Sequence, residues 1–286
     1  MEQVSGSDRL AARPGRGIAV TVPADSRVIT PGGSALVTGA SSGIGRELSL
    51  ALGRRGMKLA LVARRLPELE LLATELIEAG APRPLLLDCD VADRARVEEC
   101  AAMLERELGA VDLLVNNAGY GHHRSFLDWD LDDMERMIRV NYLGSLYWTR
   151  LLLPAIVARG RGRLVFVSSV AGRLAVPGES AYAASKFALS GLAEALSLEL
   201  EGSGVSVLTV YPGTVRTAFF DDEALAAMPA VAKRSMVETS ELVEQVLAAI
   251  ESGRRELTWP RFIAAGYVLR ALLPALFRRS VLRSTS

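Results

Sequence analysis

Lysine is nearly missing from this chain of 286 residues. It occurs only at Lys58, Lys186 and Lys233, and arginine carries the rest of the positive side-chain charge. A lysine at a chemically special position therefore stands out from its background. Cysteine and histidine are as scarce. Two cysteines, Cys89 and Cys100, cannot build a disulfide framework and suit a reducing, cytoplasmic setting. The two histidines, His122 and His123, have no cysteine or carboxylate cluster beside them at metal-ligand spacing, so no metal site is expected. Neither sign of charge is in excess: 33 basic side chains face 33 acidic ones, a balance that argues against nucleic acid as a partner. No uncharged apolar stretch reaches the roughly 18 residues of a membrane span. The best N-terminal apolar run, residues 17–22, is too short for a signal peptide.

Apolar residues are plentiful, at half of the chain, and they are arranged. Residues 1–33 are rich in Gly, Pro, Arg and Ser and read as a flexible extension, with a short strand near 18–22. From residue 34, short apolar runs recur at 35–38, 59–63, 84–87, 113–115, 164–167, 205–210 and 256–259. Amphipathic stretches separate them at 67–79, 94–108, 132–158, 181–201 and 240–252. Short buried strands alternating with helices imply βαβ units, hence an α/β, doubly wound Rossmann fold with a mostly parallel seven-stranded sheet. One domain is expected over 34–260, followed by an amphipathic extension at 261–286.

The first strand runs into Thr38-Gly39-Ala40-Ser41-Ser42-Gly43-Ile44-Gly45, and a helix follows at once. Close glycines let a backbone approach a pyrophosphate, and a helix N-terminus offers it free N–H groups and partial positive charge. The second strand ends in alanine followed by Arg64-Arg65, where an NAD-binding sheet would place a carboxylate for the ribose 2′-OH. An arginine there pairs with a 2′-phosphate instead, which points to NADP(H), with Arg64 the first choice. The alternative is a solvated arginine pair. Asp90-Val91, after the third strand, is placed near an adenine edge. Asn116-Asn117-Ala118-Gly119 ends the fourth strand in a tight turn bordering the cofactor.

Tyr182 and Lys186 lie four apart in a helical pattern and share a face. A free phenol titrates near about 10. A neighbouring ammonium favours the phenolate and fits the tyrosine for acid/base work. Ser169, 13 residues earlier at the end of a strand, is placed to hold a carbonyl oxygen, with Ser168 as the competitor. Asn141 lies in an apolar helical stretch, where an amide must be hydrogen-bonded; a structural or a water-holding role fits it.

These elements, in this order and spacing and together with Pro212-Gly213-x-x-x-Thr217, resemble those of the short-chain dehydrogenase/reductase family over about residues 34–217. The resemblance implies an NADP(H)-dependent oxidoreductase that moves a hydride between the nicotinamide and a carbonyl or secondary alcohol. It implies Tyr182 as general acid/base and Ser169 as holder of the substrate oxygen. Lys186 would lower the Tyr182 pKa and bind ribose, and Asn141 would hold a relay water. Pro212, Gly213, Val215 and Thr217 would border the nicotinamide. It further implies a substrate-selecting lid at 218–237, whose Phe, Leu and Met content suits an apolar small molecule, and a homodimer or homotetramer paired through the helices at 132–158 and 181–201. His122 and His123 fall near the substrate mouth as lining residues.

Two rival functions remain at this level. One is a non-catalytic dinucleotide-binding scaffold or sensor. The other is a peripheral membrane module built on the arginine-edged apolar stretch 261–283, which could equally close over the substrate pocket or pack between subunits.

Overall fold

A computed structural model describes residues 28–217 and 235–284. Seven strands form one sheet in the order β3-β2-β1-β4-β5-β6-β9, and every ladder in it is parallel. They are β1 (Ser34–Thr38), β2 (Lys58–Ala63), β3 (Leu85–Asp88), β4 (Leu113–Asn116), β5 (Gly162–Val167), β6 (Val205–Pro212) and β9 (Glu256–Trp259). Each coincides, within two residues at either end, with one of the seven apolar runs. β1 and β4 are buried along their whole length. That is the burial expected of parallel strands covered on both faces, and it accounts for their continuous rather than alternating hydrophobicity.

Alternate side chains of these strands feed two cores. Ala35 and Val37 of β1 join Leu69, Leu72 and Leu76 of α2 (Leu66–Glu78) and Leu242 and Val246 of α7 (Thr239–Glu251). Leu36 points the other way, into a core with Val97 and Leu104 of α3 (Arg94–Leu108), Trp148 of α5 (Gly144–Ala158) and Leu189 of α6 (Ser180–Glu199). The result is a three-layer α/β/α domain. Its strand order reverses between β1 and β4, and open parallel sheets bind their ligands at such a switch point.

One feature departs from the sequence expectation. The helical stretch at 132–158 is not one helix. α4 (Leu131–Ile138) passes into a π-helical turn at Arg139–Leu143 before α5 begins. Such turns insert a residue into the helical phase and are frequent at functional sites. Residues 261–284 are folded onto the domain, in line with one of the three readings open for them in the sequence. α8 (Ala264–Leu272) is held by the Tyr267 ring, edge-on to Tyr211, and by Arg270, which donates to the Arg173 carbonyl and covers the Phe187 ring. α9 (Pro274–Ser284) follows it. A short ladder joins β7 (Val215–Arg216) to β8 (Val237–Glu238). Most of the expected lid, 218–234, and the expected strand near 18–22 lie outside the described residues.

Candidate active site

The turn after β1 is built around backbone that must come close. Gly39 and Gly43 have φ of +68° and +54°, conformations that favour glycine. Gly45 faces inward: a Cβ there would stand 2.4 Å from the Gly39 carbonyl oxygen and 2.5 Å from Asn117 Nδ2. Thr38 and Asn117 then lock this turn to the one after β4. Thr38 Oγ1 accepts from Asn117 N at 2.9 Å and Ala118 N at 3.0 Å, while Asn117 Nδ2 donates to the Thr38 carbonyl at 2.9 Å. The two strand ends that flank the switch point are thereby fixed as one rigid cradle at the start of α1 (Gly43–Gly53).

Gly45→Ala should accordingly lower the melting temperature by several degrees. Overpacking of this kind costs about 1–3 kcal/mol, and each kcal/mol moves a domain of this size by roughly 2–4 °C. Calorimetry checks it, and a wild-type melting temperature would contradict the close approach.

The cradle opens into a cleft of about 740 Å³. Ser41, Ser42, Gly43 and Ile44 line it, as do Arg64 and Arg65 from the end of β2 and Asp90 and Val91 from the end of β3. Arg65 reaches back across the cleft edge, with its guanidinium 3.1 Å from Ser41 Oγ and 3.5 Å from Glu68. Arg64 is exposed at the same rim. Asp90 accepts from Ala92 N at 3.0 Å and from Arg136 of α4 at 2.7 Å. Burial alone would raise its carboxyl, but these two bonds hold it below the usual range. Arg136 was not singled out by the sequence. Its contact with Asp90 is 46 residues long, and nothing in the local pattern announces it.

Ser169, Tyr182 and Lys186 line the same cleft, as do Pro212, Gly213, Val215 and Thr217, the last close against Gly43 of the cradle. Both candidate serines border the cleft, in different settings. Ser168 is buried and spent on Ser190 Oγ at 2.9 Å and the Lys186 carbonyl at 3.2 Å. Ser169 opens to the cleft and hydrogen-bonds the Tyr182 phenol. Gly121, which the sequence reading passed over, lies flat on the Tyr182 ring; a Cβ there would be 2.6 Å from Cδ2. Lys186 Nζ donates to the Val167 carbonyl at 2.9 Å and sits 5.8 Å from the centre of the Tyr182 ring.

The electrostatics differ from the sequence expectation. Burial drives the Tyr182 phenol above its ordinary range, opposed by the Ser169 hydrogen bond. Burial also pushes the Lys186 ammonium down to about 8. In this arrangement the ammonium is engaged with the Val167 carbonyl, and desolvation sets the direction at the phenol.

Asn141, in the π-turn, does not line the cleft. Its amide is taken up by the protein: Oδ1 accepts from Tyr120 N at 2.9 Å, and Nδ2 donates to the Tyr120 carbonyl at 2.8 Å and to Ser185 Oγ at 2.9 Å. It clamps the loop after β4 to α6, with Gly119 so close that a Cβ would touch both Asn141 Oδ1 and Lys186 Nζ at 3.1 Å.

The remaining wall is apolar. Leu174, Val176, Phe262, Ile263, Phe277 and Val281 line it, so the C-terminal helices form part of the cleft. His122 and His123 also border it, the latter 3.7 Å from Glu179. Among the described residues no cluster fit to hold a metal ion occurs.

A three-layer fold with a glycine cradle at its switch point defines a dinucleotide-binding fold. The short chain dehydrogenase family model matches residues 34–226, and the chain belongs to that family. It is 38% identical to an uncharacterized oxidoreductase of Myxococcus xanthus over 242 residues, 84% of this chain and 92% of that protein. A short chain dehydrogenase/reductase of Burkholderia phymatum in complex with NAD superposes with a TM-score of 0.76 at 26% identity, over 86% of this chain and 95% of that one. An alcohol dehydrogenase of Thermococcus sibiricus complexed with 5-hydroxy-NADP gives 0.70 at 27%, over 79% and 95%. The family binds nicotinamide dinucleotides, and these neighbours hold both kinds.

Proposed function

We propose that this chain is an NADP(H)-dependent oxidoreductase acting on the carbonyl or secondary alcohol group of an apolar small molecule, with Tyr182 as its general acid/base. The observation that carries the proposal is that Ser169, Tyr182 and Lys186 line the same cleft as the glycine cradle and two arginines.

The residues present fit the cofactor. Gly39, Ser41, Ser42, Gly43, Ile44 and Gly45 form a turn and helix N-terminus suited to a pyrophosphate. Arg64 and Arg65 stand where a ribose 2′-phosphate would need cations, and no carboxylate ends β2 to repel it. Asp90 and Val91 border the adenine side. Asn117, Ala118 and Gly119, with Pro212, Gly213, Val215 and Thr217, border the nicotinamide side. Bound there, NADP(H) supplies or takes up the hydride.

The chain's own side chains handle the oxygen and its proton. Ser169 donates a hydrogen bond to the substrate oxygen. Tyr182 gives its phenolic proton to that oxygen as negative charge develops on it, and withdraws the proton in the reverse direction. Lys186, held by the Val167 carbonyl beside the Tyr182 ring, binds the cofactor's ribose. Asn141 acts by position, holding the loop that presses Gly119 and Gly121 onto Lys186 and Tyr182.

The apolar wall selects an apolar substrate body. Exposed Leu151 and Val157 on α5 and Leu198 on α6 support pairing of copies through these helices, as a homodimer or homotetramer. Two free, buried cysteines accord with a cytoplasmic setting.

The testing experiment follows NADPH absorbance over a panel of ketones and aldehydes of increasing apolar length. Consumption that rises with chain length, with alcohol formed in equal amount, is expected. No consumption across the panel would overturn the assignment.

A further inference from the structure

The C-terminal helices expose an outer face away from the cleft. α9 splits its residues cleanly. Phe277 and Val281, four apart, turn into the cleft. Leu276, Arg278, Arg279 and Leu282 are exposed. Along α8, Val268 and Leu272 are 57% and 73% exposed, which is unusual for large apolar side chains on neighbouring turns of one helix. Contiguous exposed apolar groups of this kind mark an interaction site.

The charge of the segment says what it interacts with. The whole chain is balanced, yet after Glu256 no Asp or Glu occurs, while Arg261, Arg270, Arg278, Arg279 and Arg283 do. Arg278 and Arg279 make no ion pair among the described residues. An apolar surface edged by arginines and free of carboxylates is complementary to an anionic lipid surface: the apolar side chains enter the acyl boundary while the guanidinium groups meet phosphates. No described helix is long and apolar enough to cross a membrane.

We propose that α8 and α9 dock this protein on the surface of an anionic lipid bilayer. Because α9 is also a wall of the cleft, docking sets the cleft mouth against the lipid, where an apolar substrate partitions. The docking stands on surface features alone and holds whichever substrate is reduced.

The test is co-sedimentation of the full chain with vesicles of phosphatidylcholine alone and of phosphatidylcholine mixed with phosphatidylglycerol. Binding to the anionic vesicles only, weakened by raised salt, is expected. Arg278→Glu/Arg279→Glu should cut that binding at least about tenfold, since each basic residue near such a surface contributes on the order of 1 kcal/mol. Leu272→Ser/Leu276→Ser should cut it as well. All four residues are exposed and outside the cleft, so NADPH binding should be unchanged in both variants. Absence of binding to anionic vesicles, or equal binding to both compositions, would overturn the proposal. So would a Leu272→Ser/Leu276→Ser variant that keeps its vesicle binding but dissociates into smaller species in sedimentation velocity, since the face would then be a contact between copies.

Discussion

Tyr182→Phe is expected to lower kcat/KM for carbonyl reduction by about 10²- to 10⁴-fold, the usual contribution of a positioned general acid, while NADPH still binds. The substitution removes one oxygen and keeps the ring that Gly121 packs against, so fold and cleft shape are preserved. The hydroxyl it removes is the one that Ser169 contacts at the substrate end of the cleft. Steady-state rates on a substrate from the carbonyl panel, paired with NADPH fluorescence titration, separate the two effects. A variant that keeps near wild-type turnover would transfer the acid role elsewhere. One that loses NADPH binding would make Tyr182 a structural residue.

The second large effect concerns cofactor choice. Arg64→Ala/Arg65→Ala should weaken NADPH binding by at least about tenfold and leave NADH nearly unaffected. A charge-assisted hydrogen bond is worth roughly 1.5–3 kcal/mol, and 1.4 kcal/mol is about a decade in affinity. The structure makes the double substitution the informative one. The sequence pointed first to Arg64, but it is Arg65 whose guanidinium lies 3.1 Å from Ser41 Oγ in the glycine turn. Both are exposed, so added salt should narrow the preference. Equal losses for the two cofactors, or a wild type that prefers NADH, would reduce both arginines to solvated surface.

The parts of this molecule legible in the sequence are those that local chemistry dictates. Seven apolar runs became seven strands because a strand covered on both faces must be hydrophobic throughout its length. The glycine turn was legible because a tight strand-to-helix junction requires Gly39 and Gly43 at positive φ. Tyr182 and Lys186 were legible because helical spacing places them together. What escaped depends on distant partners. The π-turn around Asn141 leaves no mark in the apolar periodicity, and the partners of Asn141, Tyr120 and Ser185, are distant in sequence. The Asp90–Arg136 pair joins the end of β3 to α4 across the sheet edge. The direction of the Tyr182 shift follows from burial, which spacing on a helix does not reveal. The C-terminal segment offered three equal readings as a sequence. Only the packing of Tyr267 and Arg270, and the entry of Phe277 and Val281 into the cleft, show how it is joined to the domain.

The central claim is that the cleft brings a carbonyl carbon to the nicotinamide while Tyr182 protonates the oxygen. Isotope transfer tests this most directly. NADPH carrying deuterium at C4, on each face in turn, is incubated with the enzyme and an apolar ketone in ordinary water, and the alcohol is examined by mass spectrometry and NMR. Deuterium on the carbinol carbon from one face only, with the hydroxyl proton drawn from water and the transfer lost in Tyr182→Phe, is the predicted result. An alcohol without deuterium from either face, or transfer undiminished in Tyr182→Phe, would contradict it.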